Sequence, residues 1–362
     1  MSKRVFNFGA GPCTLPLSVL EEAQAEFTNY MDSGMSVIEM SHRGKQYDKT
    51  HLEAIADTRE VFGVPDDFEV IFVQGGATLQ FSMIPMNLLN EGDKAAYICS
   101  GEWGNKAYED ALIYGKAYKA WDGESINYVR MPENKELKLE PNTRYLHITT
   151  NETIGGIRII DWPKVNVPIV ADMSSDFMSR PIPWEIFDLV YGGIQKNLGP
   201  SGMAVVFIRK SILEKCNKKL GVYLKYTTHV KSNSLYNTPP VFPIYILGKV
   251  MKWMKKQGGL KGIERKADEK AAIIYNVIDG SKGYYSNPMN KVHRSVMNIV
   301  FRLPTEQLEE KFVKEATAAG MIGLKGHRSV GGCRASCYNA LPKEGALFLA
   351  DFMKKFQTQN QA

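Results

Sequence analysis

Two residues near the middle of the chain, Asp172 and Lys196, could carry out chemistry together. Asp172 ends an apolar run that predicts a buried strand, and Lys196 follows a second such run in a loop rich in glycine. An amine at the carboxyl end of a strand, packed among glycines, can approach a planar ligand closely. Asp172 alone also fits a helix N-cap, and Lys196 alone fits a solvated loop lysine. Only the two residues together indicate a particular chemistry.

The pair suits pyridoxal phosphate (PLP). A lysine holds the aldehyde of this cofactor as an imine, and an acid beside the pyridine nitrogen lets the ring accept electrons. A carboxylate does this because an opposite charge a few ångströms away favours the protonated nitrogen. The separation of 196 − 172 = 24 residues is similar to that in fold-type I aminotransferases. We therefore predict Lys196 and Asp172 as the catalytic residues.

Three upstream segments offer further contacts to such a cofactor. In VQGGATLQF a predicted strand runs through Gly75 and Gly76 into a helix that begins at Ala77, whose first N–H groups can cradle a phosphate. Trp103 in GEWGNKA could stack on the pyridine ring, although core packing explains a lone tryptophan equally well. Thr153 in HITTNETIGG could hydrogen-bond the phenolic oxygen, although a hydroxyl in a turn often only caps the backbone.

Polar and cationic residues in other loops are candidates for binding phosphate and carboxylate groups. Arginine provides a planar fork of donors that fits both anions, and exposed loop charge is the alternative for any single one. For Gln195, Asn237 and Thr238, ordinary turn chemistry is the alternative to a contact with the cofactor phosphate. The cationic candidates are two His-Arg pairs and one further arginine in glycine-flanked loops: His42, Arg43, His327, Arg328 and Arg334.

The elements that must position these residues alternate between apolar runs and helical patterns. Such alternation predicts an α/β fold in which helices flank a mostly parallel sheet. The predicted strands cover residues 69–73, 94–99, 144–149, 168–171, 189–192 and 203–209. The predicted helices around them cover residues 17–30, 49–62, 77–89, 105–114 and 242–256.

A second, smaller α/β unit is predicted after Gly258 and Gly259, which suit a helix C-cap. The pattern there gives helices over 260–278, 305–319 and 343–356 and a strand over 297–303. We predict a large cofactor-binding domain at 1–257, with its N-terminal residues able to pack on the small domain, and a small C-terminal domain at 258–362.

Composition and charge exclude several other classes. Lysine and arginine exceed aspartate and glutamate by 45 − 39 = 6, but the basic residues are scattered, which gives little support to nucleic-acid binding. No apolar stretch approaches the ~20 residues of a membrane span, and no signal sequence is evident. Five cysteines without a CxxC pair argue against a disulfide framework and a metal site. We expect a cytoplasmic protein with reduced thiols and no metal.

Eight segments, in order, resemble the phosphoserine aminotransferase family, within the class-V, fold-type I PLP-dependent enzymes, nearly from end to end. They are FNFGAGPCTLP, MSVIEMSHRGKQY, VQGGATLQF, NETIGGI, ADMSSD, IQKNLGPSG, YNTPP and KGHRSVGGCRASCYNA. The resemblance implies transfer of an amino group from L-glutamate to 3-phosphohydroxypyruvate, giving O-phospho-L-serine and 2-oxoglutarate in serine biosynthesis. Bacterial relatives also serve vitamin B6 synthesis through 4-phosphohydroxy-L-threonine, a question that stays open here.

The resemblance also implies a role for each candidate residue. Lys196 becomes the Schiff-base lysine, Asp172 the partner of the pyridinium and Trp103 the stacking ring. Cofactor contacts are implied for Gly76, Ala77, Thr153 and Gln195, and Asn237 and Thr238 are implied to reach the cofactor phosphate from the partner subunit of a homodimer with shared active sites.

One position departs from the family pattern, and two other readings stay in view. Some members carry arginine where this chain has Ala77, so other residues must bind the substrate phosphate. Another fold-type I enzyme, such as an alanine–glyoxylate aminotransferase or a cysteine desulfurase, is the first alternative, although no cysteine lies in an evident long catalytic loop. A nucleotide-binding module, suggested by GAGPCT, fails because Thr14 replaces the third glycine of the fingerprint.

Overall fold

The computed structural model describes residues 4–360. Its strands are β1 (Phe6–Asn7), β2 (Phe68–Gln74), β3 (Lys94–Cys99), β4 (Lys116–Asp122), β5 (Thr143–Thr149), β6 (Asn151–Glu152), β7 (Ile157–Arg158), β8 (Ile169–Asp172), β9 (Leu189–Gly193), β10 (Met203–Arg209), β11 (Asn298–Phe301), β12 (Met321–Ile322) and β13 (Cys333–Ser336). Its α-helices are α1 (Leu17–Glu26), α2 (Lys45–Phe62), α3 (Gly76–Leu88), α4 (Glu102–Tyr114), α5 (Lys210–Leu213), α6 (Tyr226–Lys231), α7 (Val241–Lys256), α8 (Gly259–Gly280), α9 (Glu306–Ala318) and α10 (Lys343–Gln359).

A seven-stranded sheet with the order β2-β10-β9-β8-β5-β3-β4 forms the centre of the large unit. All neighbouring strands are parallel except β10, which runs antiparallel to both β2 and β9. The carboxyl ends of β3, β5, β8 and β9 therefore meet at one edge, where ligands of such sheets bind. The predicted α/β class with a mostly parallel sheet is confirmed.

Apolar side chains cover both faces of this sheet, which explains why its strands are almost continuously hydrophobic. In β10, Val205 and Phe207 pack into one buried cluster, while Val206 and Ile208 pack into the cluster on the opposite face. All four are fully buried. The sheet is thus a rigid platform from which the site residues project.

A separate hydrophobic core lies in the C-terminal third of the chain. It is built from residues between 267 and 356, together with Phe8 from the N-terminal segment. β11 pairs with β13 in antiparallel fashion, and β1 pairs with β12 in parallel fashion. The N-terminal segment therefore packs with the C-terminal unit. The division into domains at 257/258 stays a prediction, and the ends of the two ranges, 1–3 and 361–362, lie outside the described residues.

Two of the differences between the sequence predictions and the structure have a clear physical cause. The first helix ends at Glu26 rather than at residue 30, because the side chain of Asn29 accepts a hydrogen bond from Gly34 N (2.8 Å) and so favours a turn. β4 was not predicted, because its sequence KAYKAWD is polar and lies at the edge of the sheet, with only Ala120 buried. Neither difference moves a predicted site residue.

No helix within residues 4–360 has the length and hydrophobicity needed to cross a membrane. All five cysteines are unpaired, and four of them are buried.

Candidate active site

Asp172 lies at the carboxyl end of β8, in register with Thr149 of β5 and Tyr191 of β9. Its carboxylate is buried, and Oδ1 accepts hydrogen bonds from the backbone N–H (2.8 Å) and the hydroxyl (2.6 Å) of Ser174. Oδ2 accepts none from any residue between 4 and 360. Burial raises the pKa of Asp172, while the bonds from Ser174 and the charge of Lys196 lower it in part. One oxygen is therefore fixed, and the other is free to meet a cationic donor.

Lys196 follows β9 and is also buried, with only 7% of its surface exposed. Its Nζ donates a hydrogen bond to Thr153 Oγ1 at 2.6 Å and lies 5.8 Å from the centre of the Trp103 ring. Burial lowers the pKa of Lys196 to about 8, although the carboxylates of Asp172 and Glu152 act in the opposite direction. The amine is therefore neutral at a much lower pH than an exposed lysine, as a nucleophile or a base requires.

Both groups face a cavity of about 580 Å³ at the carboxyl edge of the sheet. This volume lies within the range of small-molecule sites. Seven predicted site residues line it: Gly76, Ala77, Trp103, Thr153, Asp172, Gln195 and Lys196. Residues that sequence reasoning had not singled out line it as well, among them Pro12, Thr149, Asn151, Ser174 and Ser175. The two serines follow Asp172 after one intervening residue, Met173, in ADMSSD, which is the one signal that could have indicated them.

The start of α3 forms one wall of the cavity. Gly75 and Gly76 have φ angles of +91° and +64°, a region that glycine adopts without strain. This conformation lets the chain leave β2 and enter α3 within two residues. The first N–H groups of a helix lack acceptors inside it, so the first turn offers donors and a partial positive charge to an anion.

Trp103 forms another wall and projects from the first turn of α4. Its indole Nε1 is buried and has no hydrogen-bond partner among the described residues. Its backbone N–H donates to Glu152 Oε2 (3.2 Å), and Gly104 N donates to Glu152 Oε1 (2.9 Å). The sequence analysis did not single out Glu152, because nothing in the sequence indicates that its carboxylate lies opposite the backbone N–H groups of Trp103 and Gly104.

A chain of hydrogen bonds fixes the orientation of the Thr153 hydroxyl, which accepts the hydrogen bond from Lys196. Thr153 Oγ1 donates to Ser175 Oγ (3.0 Å), and Ser175 Oγ donates in turn to the carbonyl of Asn151 (2.8 Å). The side-chain amide of Asn151 also donates to Asn298 Oδ1 of β11 (2.9 Å). The site is thereby linked to the C-terminal unit.

Arg334 of β13 reaches the site from the C-terminal unit. Its Nη1 donates to the carbonyl of Thr153 (3.2 Å), and its Nε is buried without a partner among the described residues. Within residues 4–360 no carboxylate pairs with this guanidinium. Burial lowers the pKa of Arg334, since an uncompensated charge is costly there. An anionic ligand would supply the missing partner.

Arg334 is not among the residues that line the cavity, and neither are the remaining predicted site residues within a single chain. Arg43, Arg328, Asn237 and Thr238 are exposed, and His42 and His327 are partly buried in the same loops. His327 lies close enough to Arg334 for that charge to lower its pKa, although burial is the larger cause. Their roles stay predictions.

The residues around the cavity fit PLP. The buried amine of Lys196 faces the same space as the free Oδ2 of Asp172. The indole N–H of Trp103, which has no partner among the described residues, lies on another wall. The glycine-led start of α3 offers backbone donors suited to a phosphate. An amine, an acid, an aromatic ring and a phosphate cradle are the groups that this cofactor needs.

Comparisons with known proteins agree with this geometry. Residues 5–347 match the aminotransferase class-V family. The chain is 50% identical to a phosphoserine aminotransferase of Lysinibacillus sphaericus over 362 residues, which is 100% of both chains. The solved structure of phosphoserine aminotransferase from Bacillus circulans subsp. alkalophilus superimposes with a TM-score of 0.97 at 48% identity, over 99% of this chain and 100% of the other.

The PLP-bound phosphoserine aminotransferase from Trichomonas vaginalis superimposes with a TM-score of 0.93 at 40% identity. That alignment covers 97% of this chain and 100% of the other. Since both the family match and the relatives span almost the whole sequence, the chain belongs to the phosphoserine aminotransferase family of class-V aminotransferases.

Proposed function

We propose that this chain is a PLP-dependent phosphoserine aminotransferase, which moves an amino group between L-glutamate and 3-phosphohydroxypyruvate to give O-phospho-L-serine and 2-oxoglutarate. The observation that carries the proposal is the buried Lys196 amine, which shares a cavity with the free Oδ2 of Asp172. Full-length identity of 50% to a phosphoserine aminotransferase supports the choice of substrate.

The residues divide the work between them. When bound, PLP supplies an aldehyde that condenses with amines and a ring that accepts the electron pair released at the substrate Cα. Lys196 would hold the cofactor, and its neutral amine would move the proton at the substrate Cα. Asp172 Oδ2 keeps a proton on the pyridine nitrogen. Thr153 orients the lysine amine through the 2.6 Å hydrogen bond.

Anion binding falls to two separate groups of residues. The first turn of α3 binds the cofactor phosphate through backbone N–H groups, and Gln195 adds a side-chain donor from the lysine loop. Arg334 binds the substrate α-carboxylate, because its half-buried guanidinium has no carboxylate partner among the described residues. Since Ala77 offers no charge, the His42-Arg43 and His327-Arg328 pairs bind the substrate phosphate.

The active enzyme is a homodimer in which each site takes residues from both chains. Met31, Met35 and Ile38 expose 42 to 53% of their surface on the segment just before His42 and Arg43. Exposed apolar residues gathered on one segment are typical of a protein interface. This segment packs on α7 through a contact between Tyr30 and Tyr245 whose ring centres lie 5.2 Å apart, close to the loop that carries Asn237 and Thr238.

An absorption spectrum of the PLP-loaded protein tests the proposal. The visible band of PLP held by Lys196 should disappear on adding L-glutamate and return on adding 3-phosphohydroxypyruvate. Pyruvate and glyoxylate are the matched controls, because they lack the phosphate. A band that returns equally well with glyoxylate would transfer the assignment to an alanine–glyoxylate type of activity. A chain with Lys196→Ala should show neither change.

A further inference from the structure

Glu152 is a fully buried carboxylate with no assigned role in the reaction. It lies in β6, directly after the strand that ends at Thr149, and its side chain points to the first turn of α4. Oε1 accepts from Gly104 N (2.9 Å) and Ser100 Oγ (3.4 Å), and Oε2 accepts from Trp103 N (3.2 Å). The carboxylate thus satisfies two N–H groups at the very turn that carries Trp103.

Two glycines make room for this carboxylate. A Cβ added at Gly101 would lie 2.7 Å from Glu152 Cδ, and a Cβ added at Gly104 would lie 2.9 Å from Ile98 O and 3.3 Å from Glu152 Oε1. Gly101 has an extended backbone (φ 169°), so its lack of a side chain is needed for space rather than for conformation. The pattern G-E-W-G at 101–104 is therefore shaped around Glu152.

Burial and hydrogen bonding act in opposite directions on the charge of Glu152, and burial has the larger effect. Burial raises its pKa to about 7, while the N–H groups of Gly104 and Trp103 lower it, as does the charge of Lys196. A carboxylate at a helix N-terminus is also favoured by the helix dipole. Loss of its hydrogen-bond acceptors would leave two buried N–H groups unpaired, which the first turn of α4 could relieve only by moving.

We propose that Glu152 is a positioning residue for the cofactor ring: it fixes the first turn of α4, and through it the Trp103 indole, against the cavity. This rests on the proposed function in one respect only, namely that the indole packs on the cofactor. Glu152 itself does not line the cavity and touches no reacting atom. Its effect on the position of the ring therefore passes through Trp103, and is separate from the charge by which Glu152 raises the pKa of Lys196.

The first test uses the cofactor-free protein, so that it does not depend on the reaction. The chain has five tryptophans, and labelling with 5-fluorotryptophan gives one ¹⁹F resonance for each. Trp103→Phe identifies the resonance of Trp103. In Glu152→Gln the side-chain amide places its own N–H group against one of the two backbone N–H groups. The Trp103 resonance should therefore shift or broaden, while the other four keep their positions. Gly101→Ala, which displaces the carboxylate from the other side, should have the same effect.

The second test is a double-mutant cycle on the loaded protein. Glu152→Gln should weaken PLP binding about tenfold, roughly the factor for one hydrogen bond to a charged acceptor, and should reduce the visible circular dichroism of the bound cofactor. In a Trp103→Phe background the same change should have a much smaller effect, because the route through the indole is already removed and only the charge acting on Lys196 remains. Glu136→Gln is the control, since Glu136 likewise accepts a hydrogen bond from a backbone N–H, that of Glu133, but is not among the residues that line the cavity.

Two outcomes would overturn the inference. One is an unchanged Trp103 resonance in both Glu152→Gln and Gly101→Ala. The other is a loss of PLP affinity that is equally large with and without Trp103, which would make Glu152 a general structural residue. Both differ from failure of the proposed function, in which the ¹⁹F result would stand while the loaded protein showed no response to L-glutamate.

Discussion

At Lys196, burial and two carboxylates compete to set the pKa, and burial prevails. The pKa is lowered to about 8, so the amine is protonated below that pH and neutral above it. Only the neutral form attacks the aldehyde of PLP. We expect the rate at which the cofactor-free protein takes up PLP to rise with pH through a midpoint near 8. Stopped-flow absorption from about pH 6 to about pH 10 measures it.

Blocked lysine amide in solution is the control for this pH profile, because its amine keeps the ordinary pKa near 10.4. A protein midpoint as high as that of the blocked amide would mean that the amine is not desolvated before the cofactor arrives.

Asp172 supports a second expectation at this scale. Asp172→Asn keeps the shape and one oxygen for Ser174 but removes the charge that favours the protonated pyridine nitrogen. A nearby carboxylate raises the pKa of the pyridine nitrogen by about one to three units, so its removal should lower turnover about 10- to 1,000-fold. Ser174→Ala, which only loosens the carboxylate, should cost much less. Equal kcat values for Asp172→Asn and the unchanged enzyme would contradict the assigned role.

The sequence predicted those residues whose chemistry is rare at their position, and missed those whose role depends on contacts across the fold. Asp172 ends a strand, and Lys196 and Trp103 follow strands in segments rich in glycine, so their setting is visible in the chain itself. Glu152 and Ser175 act on groups that are 49 and 22 residues away in sequence, at Trp103 and Thr153. Only the pairing of neighbouring strands brings these partners together.

The start of α3 gives an expectation at the scale of an element. Gly76 (φ +64°) and Gly63, which ends α2 (φ +59°), have nearly the same backbone, and a Cβ at either would meet no atom within 4 Å. Alanine should therefore destabilise the fold similarly at both, by about 1 kcal/mol. Gly76→Ala alone should also weaken PLP binding, about tenfold, because Gly76 lines the cavity. Thermal unfolding and PLP titration of both variants measure the two effects.

A Gly63→Ala variant that lost PLP as readily as Gly76→Ala would show that the loss reflects general destabilisation. In that case the first turn of α3 would have no specific part in binding the phosphate.

Elements buried on both faces were predicted from sequence with bounds close to those observed. β3 is observed at the predicted bounds, 94–99, and β10 at 203–209. Elements that depend on distant partners were not predicted: β1 and β12 have two residues each and exist only because they pair with one another. A two-residue strand carries no periodic signal, so the docking of the N-terminus could be suggested but not located.

For the whole molecule, the single chain leaves some of its predicted site residues outside the cavity. Asn237 and Thr238 are exposed, and Thr238 contributes its carbonyl, rather than its side chain, to a hydrogen bond from Gln74 (2.9 Å). A twofold-symmetric dimer would place the same loop of each chain at the site of the other. No pattern within one chain specifies that geometry, and the expectation came from family resemblance alone.

Hybrid dimers test this arrangement. One chain carries Lys196→Ala and the other Asn237→Asp, whose carboxylate repels the cofactor phosphate; each variant alone should be nearly inactive. In a hybrid isolated through two different affinity tags, one site combines both defects and the other has neither, so about half of the native turnover per dimer should return. If Asn237 serves its own chain, each site keeps one defect and the hybrid stays as inactive as its parents. The hybrid's turnover thus decides whether the two sites share residues.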